Sequence, residues 1–425
     1  MAATPSTLPL RDEAKHGPCH LTARSHDHSL PGPRTGNGGR GVSHRAPEWG
    51  CYWDGCLLMA HESMPDDRAI AIHTAPAAPG EVAAVALWWR AGRLHEAPTE
   101  AGAAHLLEHL VCDALPRGRV AHWGGAVNGQ SGREWTVWHA LLPAALAPEF
   151  IAELSAALTA PLPDAATIAQ EARVLAAERS GTRSRDDWEL AALRAAFGDH
   201  PLARPLAVAP GIGRERLERF RARLLCPSRL ILTAAGPVDA AALRAAAAPL
   251  AGCSERPTPE PAPPPLPTIP CHAAIDAVGG SLWLLPFSPA EAPAVAALAD
   301  LLAHPLLGRL PRRLRQLPEP GYALHSEIEY AAGIGLWWLW LDQSRAAPVL
   351  AAEIETCLER GFDAAEWAEV AALHAARATL TGADLTGRLA VLSGARPEPA
   401  AAMPEATTLT ATLAECWGRR VSLGL

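Results

Sequence analysis

Apolar residues along this chain fall into two kinds of run: short unbroken stretches rich in β-favouring and aromatic residues, and longer Ala/Leu-rich stretches with a helical period. Val82 to Trp89 reads as a buried strand, and Trp135 to Leu142 and Arg229 to Ala234 predict two more. Downstream, Ser281 to Leu285, Tyr322 to Glu329 and Gly335 to Leu341 have the same character. The helical pattern covers Ala103 to Cys112, Ala290 to Leu302 and Ala347 to Arg360. A further helix is expected from the cap Asp164 through Ile168, Val174 and Leu175 to about Arg179, where Ser180-Gly181 ends it. Strands and helices are mixed in both halves, which predicts an α+β layer in each.

Two stretches break the pattern. Residues 1–48 are rich in Gly, Pro, His, Ser and Arg without an apolar period, and read as a disordered tail. Residues 253–270 contain Glu-Arg-Pro-Thr-Pro-Glu-Pro-Ala-Pro-Pro-Pro-Leu-Pro, a stiff extended linker. A chain of 425 residues is more than one core usually covers, so the linker is expected to separate a first domain, 49–252, from a second, 271–425.

Charge narrows the partners. The formal net charge of −8 is spread without a basic stripe, which argues against nucleic acid. No apolar run reaches the roughly 18 residues of a membrane span, and the amino terminus lacks the apolar core of a secretory signal. Nine cysteines, an odd number without close paired spacing, point to a reducing, cytoplasmic compartment. Fourteen Trp against three Tyr and five Phe is unusual, and Trp337, Trp338 and Trp340 fall in one predicted strand. Packing explains them, with a docking surface as the alternative.

The chemistry concentrates at His105-Leu106-Leu107-Glu108-His109. Side chains three and four apart lie side by side on a helix, so two imidazoles can reach one ion while Glu108 points at the same spot. Zn²⁺ takes imidazole nitrogen at about 2.0–2.1 Å, and a catalytic site keeps one position open for water. Glu108 is poorly placed as a third ligand between the histidines and well placed to take a proton from that water. Its order is that of the inverted zincins, His-x-x-Glu-His. Glu171 and Glu178, two turns apart on one face of the helix capped by Asp164, offer one further ligand and one carboxylate to support the shell. Cys112, three residues after His109, reads as a small apolar packing residue.

With these residues in view the chain resembles the pitrilysin or insulinase-type inverted zincins, in particular their half-length branch. That branch includes the mitochondrial processing peptidase and the peptidase that trims the precursor of pyrroloquinoline quinone. Ala91-Gly92-Arg93-Leu94-His95-Glu96 with Gly102 is similar to the family's entry into the metal helix. Gly124-Gly125-Ala126-Val127-Asn128-Gly129-Gln130-Ser131, with Thr136 and Trp138, resembles its substrate-binding edge strand, although Gly129 stands for the usual Ala and Ser131 for Thr. The resemblance implies Glu178 as third zinc ligand and Glu171 as its support, with Asn128 and Ser131 on the substrate strand. It also implies Arg315 and Tyr322, seven apart, as the pair that holds and polarises the bound peptide.

The function implied by this resemblance is that of a zinc-dependent endopeptidase with one Zn²⁺ per chain, acting on short or unfolded peptides such as a biosynthetic precursor. The implied architecture is two similar α/β-roll domains forming half of a clamshell, completed by a second copy or a related half-length chain. The rival is a non-catalytic family subunit that binds peptides or assembles with a catalytic sister. Such subunits usually lose a motif residue, and this chain keeps them all. A structural zinc protein is disfavoured because such sites are normally four-coordinate and Cys-rich.

Overall fold

Two five-stranded sheets with the same winding organise the chain in its computed structural model, which describes residues 70–75, 81–205, 211–253, 259–273, 280–319, 324–342, 344–394 and 402–424. The first sheet is built from β1 (Ala71–Ala75), β2 (Val82–Trp89), β3 (Ala126–Ser131), β4 (Thr136–Pro143) and β5 (Leu230–Ala235), in the order β1-β5-β2-β4-β3. The second is built from β6 (Cys271–Ala273), β7 (Ser281–Phe287), β8 (Leu324–Ala331), β9 (Ile334–Leu341) and β10 (Val421–Leu423), in the order β6-β10-β7-β9-β8. In each sheet the outermost first strand pairs in parallel with the last, and all other pairings are antiparallel. The architecture is therefore two similar α+β layers.

The inner strands β2, β5, β7 and β9 are apolar without alternation because both faces of each sheet are covered there. In β2, Val85, Leu87 and Trp89 join the core formed with the helices Ala103–Ala114, Ala147–Thr159 and Arg214–Leu224. The alternate residues Ala84, Ala86 and Trp88 face Leu389 and Ala390 of the helix Leu385–Leu392, which comes from the second half. The second sheet is covered in return. Trp283, Leu285, Trp337 and Leu339 pack on helices of their own half, whereas Leu282, Leu284, Leu336, Trp338 and Trp340 pack on Trp188, Ala192 and Leu193. Those last residues belong to a helix of the first half, Ala165–Phe197. Each half thus lends a helix to the other's sheet. Arg133, between β3 and β4, adds buried ion pairs at 2.7 Å to Glu189 of that long helix and to Glu329 of β8.

Several expectations change here. The helix capped by Asp164, whose carboxylate accepts from the Thr167 amide, does not stop at Ser180-Gly181 but runs for 33 residues to Phe197. A helical glycine costs only about 1 kcal/mol relative to Ala. Docking of Trp188, Ala192 and Leu193 on the second sheet outweighs it. The tryptophans of β9 present no docking surface: Trp337, Trp338 and Trp340 are all buried, the last two stacked with centroids 5.7 Å apart. The strand expected from Tyr322 runs over Leu324–Ala331, and Tyr322 lies outside the described residues, as do residues 1–48. No described helix is long and apolar enough to cross a membrane.

Candidate metal centre

The motif helix, Ala103–Ala114, begins at Gly102, whose φ of 84° is the left-handed region where a side chain would be strained. No side chain in the first turn caps it. Instead the carboxylate of Glu96 accepts from the amides of Gly102 and Ala104, both at 2.9 Å, placing negative charge at the positive end of the helix. Burial pushes the Glu96 carboxyl up to about 7, against the pull of those two amides. Six and eight residues separate it from its donors, so no capping pattern announces it. Removing this acceptor leaves two buried amides unpaired. Glu96→Ala should lower stability by about 1–3 kcal/mol, readable as a drop in the urea midpoint. An unchanged midpoint would mean that the cap contributes nothing.

One helical turn apart, His105 and His109 stand with ring centroids 4.9 Å apart. Across from them the long helix brings Glu178, whose Oε2 lies 3.9 Å from His105 Nε2 and 3.6 Å from His109 Nε2. The three donor atoms fall within 4.8 Å of one another. A tetrahedral ion with bonds of about 2.0–2.1 Å holds its ligand atoms about 3.4 Å apart, so small side-chain movements would close the set around Zn²⁺. Behind it, Glu171 Oε2 sits 3.4 Å from His109 Nδ1. A carboxylate there favours the tautomer that leaves Nε2 free for a metal.

Glu108 faces the same point without completing the donor set. Its Oε2 is 3.7 Å from His105 Nε2 and 3.9 Å from His109 Nε2. Burial pushes its carboxyl up to about 7, opposed by His109 and by a hydrogen bond that the Cys112 thiol donates to Oε1 at 3.5 Å. Cys112 packs against the first core as expected and makes this hydrogen bond besides. The main chain of Glu108 accepts from Trp138 Nε1 at 3.4 Å, tying the motif helix to β4.

Of the remaining candidates, Asn128 and Ser131 lie on β3, the outer strand of the first sheet. Asn128 is exposed and its Oδ1 accepts from the Gly129 amide. Arg315 closes the short helix Arg309–Arg315 in the second half and donates to the Pro305 carbonyl at 3.0 Å. The structure brings His105, Glu108, His109, Glu171 and Glu178 together, and Arg315 stands apart from this group, engaged within its own half.

Comparisons with known proteins bear on the first half in sequence and on both halves in fold. Residues 71–209 match the model of the insulinase family, peptidase family M16. An uncharacterized zinc protease of Mycobacterium bovis is 31% identical over 171 residues, 37% of this chain and 39% of the relative. The beta subunit of the mitochondrial-processing peptidase of Dictyostelium discoideum is 24% identical over 174 residues, 38% and 37% of the two chains. The match therefore spans well under half the length of these relatives. Among solved structures, the peptidase M16 inactive domain from Pseudomonas fluorescens superposes with a TM-score of 0.71 at 15% identity, covering 84% of this chain and 95% of that one. A protease from Helicobacter pylori does so with a TM-score of 0.70 at 16% identity, over 86% and 99%. Two similar α+β layers of this winding are the fold that the chain shares with these solved structures. In sequence the likeness to the insulinase family, peptidase family M16, is carried by residues 71–209 of the first half.

Proposed function

We propose that the chain is a zinc-dependent endopeptidase that hydrolyses short or unfolded peptides, with a precursor peptide as one such substrate. The observation that carries this reading is the convergence of His105, His109 and Glu178 within 4.8 Å, with Glu108 Oε2 turned toward the same point. Zn²⁺ held there supplies Lewis acidity and lowers the pKa of water toward about 7. Glu108 Oε2 takes the proton of the attacking water and returns it to the leaving amine. Glu171 keeps His109 oriented. The free edge of β3 offers main-chain groups to an extended peptide, with Asn128 and Ser131 beside it. Arg315 and Tyr322 enter by resemblance alone, as donors to the peptide carbonyl, and closing a chamber around the peptide calls for a second half-length unit, a copy of this chain or a related one.

The alternative, a non-catalytic subunit, is weakened by the presence of Glu108 together with all three donors. Purified protein should contain about one zinc per chain and cleave a random peptide pool in a chelator-sensitive way. Stoichiometric zinc with no cleavage, even with a partner chain added, would favour the binding subunit.

A further inference from the structure

We propose that the cavity at the far end of the long helix Ala165–Phe197 is a second binding site, separate from the metal centre, for a short peptide with a free carboxyl terminus. The choice of a peptide among carboxylates rests on the reading of the chain as a peptidase; the site itself does not. The cavity measures about 540 Å³, inside the range of about 300–1,000 Å³ usual for small-ligand sites, and Glu96, Arg194, Asp199, His200 and Arg204 form its polar wall. Arg194 lies more than four turns beyond Glu178, about 24 Å along the helix axis. Two guanidinium groups point to an anion. Burial pushes the Arg204 guanidinium down, and it donates only to main-chain carbonyls, those of Leu94, at 3.4 Å, and Glu96. Among the described residues neither Arg194 nor Arg204 has a carboxylate within ion-pair distance, whereas Arg133, Arg309 and Arg419 each meet one. A half-buried cation held by carbonyl oxygens alone keeps donors for a charge from outside, and a carboxylate fits the guanidinium fork. His200 fixes the wall in place. Its Nδ1 accepts from the Leu202 amide at 3.2 Å, so Nε2 carries the proton and donates to the Ala262 carbonyl of the Pro-rich linker at 2.9 Å. Asp199 is exposed at the mouth and offers a carboxylate to an ammonium group. Two cations and an anion on one wall suit a zwitterion. Each peptide hydrolysis releases such molecules, with one new carboxylate and one new ammonium. Arg204 also holds the main chain of Glu96, whose carboxylate caps the motif helix, so an occupant of the cavity touches the residue that seats the metal ligands.

Trialanine is the probe, measured by equilibrium dialysis against Glu108→Gln protein so that turnover does not consume it. A Kd on the order of 0.1–1 mM is expected for a ligand of this size. Replacing the free carboxyl by an amide should weaken binding about 10–100-fold, and so should Arg194→Gln or Arg204→Gln, the scale of a charge-assisted hydrogen bond. Arg194 is exposed and its side chain makes no bond in the free protein, so weaker binding in Arg194→Gln is not a loss of fold. Arg204→Gln gives up two carbonyl contacts as well and is read beside its thermal midpoint. Asp199→Asn should weaken trialanine and leave N-acetyl-trialanine unchanged. His105→Ala/His109→Ala empties the metal centre and should leave the trialanine affinity as it was. Equal binding of acid and amide, or unweakened affinity in both arginine variants, would overturn the proposal. Loss of binding in the double histidine variant would also overturn it, by placing the peptide at the metal centre. Inorganic phosphate bound in place of trialanine, and released by the same arginine changes, would overturn the assignment to a peptide. Binding is read without cleavage, so a chain that hydrolyses nothing would sink the peptidase reading while the dialysis still decides the site.

Discussion

Glu108→Gln is expected to keep the metal and lose the turnover. The amide has nearly the size of the carboxylate, so the Cys112 contact on one side and the imidazoles on the other meet the same volume. His105, His109 and Glu178 are untouched by the change, and zinc content should stay at about one per chain. What disappears is the ability to hold a proton at Oε2, and hydrolysis should fall by roughly 10²–10⁴-fold or more, the scale of a general base. Elemental analysis beside peptide cleavage reads both quantities. Loss of zinc in this variant would make Glu108 a ligand and reassign the roles. Retained activity would move the base elsewhere, with Glu171, already engaged with His109 Nδ1, as the candidate carboxylate outside the donor set.

The elements that local pattern specifies were legible. Val82–Trp89 and Ala347–Arg360 appear with the bounds that their apolar runs predict, because each is bordered by residues that end it. The motif helix was legible for the same reason: its chemistry is written at three- and four-residue spacing, the one range over which a sequence fixes neighbours. What crosses the fold was not. The run through Ser180-Gly181 looks like a helix end until Trp188, Ala192 and Leu193 find the second sheet, an apolar contact that no local window contains. Glu96 caps the motif helix from outside it, and Gly129 touches Glu108 across a strand-to-helix contact. In the sequence, Glu96 reads only as part of the entry into the motif helix and Gly129 as a departure from the family pattern. Their roles depend on distance in space.

Ligand substitutions should grade metal retention by how directly each side chain faces the ion. His105→Ala and His109→Ala each leave two donors of three and should reduce zinc to a small fraction of one per chain after dialysis, and the double variant to none. Glu178→Gln keeps a neutral oxygen 3.6–3.9 Å from the two imidazoles but gives up the negative charge, so weakened and not abolished binding is expected. Glu171→Gln touches only His109 Nδ1 and should cost about 10–100-fold in affinity, the usual scale of a supporting carboxylate. The long helix carries both glutamates on one face and is held at its far end by the second sheet, so the order of effects also reports on the fold. Apparent affinities from chelator competition should rank parent, Glu171→Gln, Glu178→Gln, then the histidine variants. Full zinc in the His105→Ala/His109→Ala double variant would place the metal somewhere else and remove the foundation of the proposed chemistry.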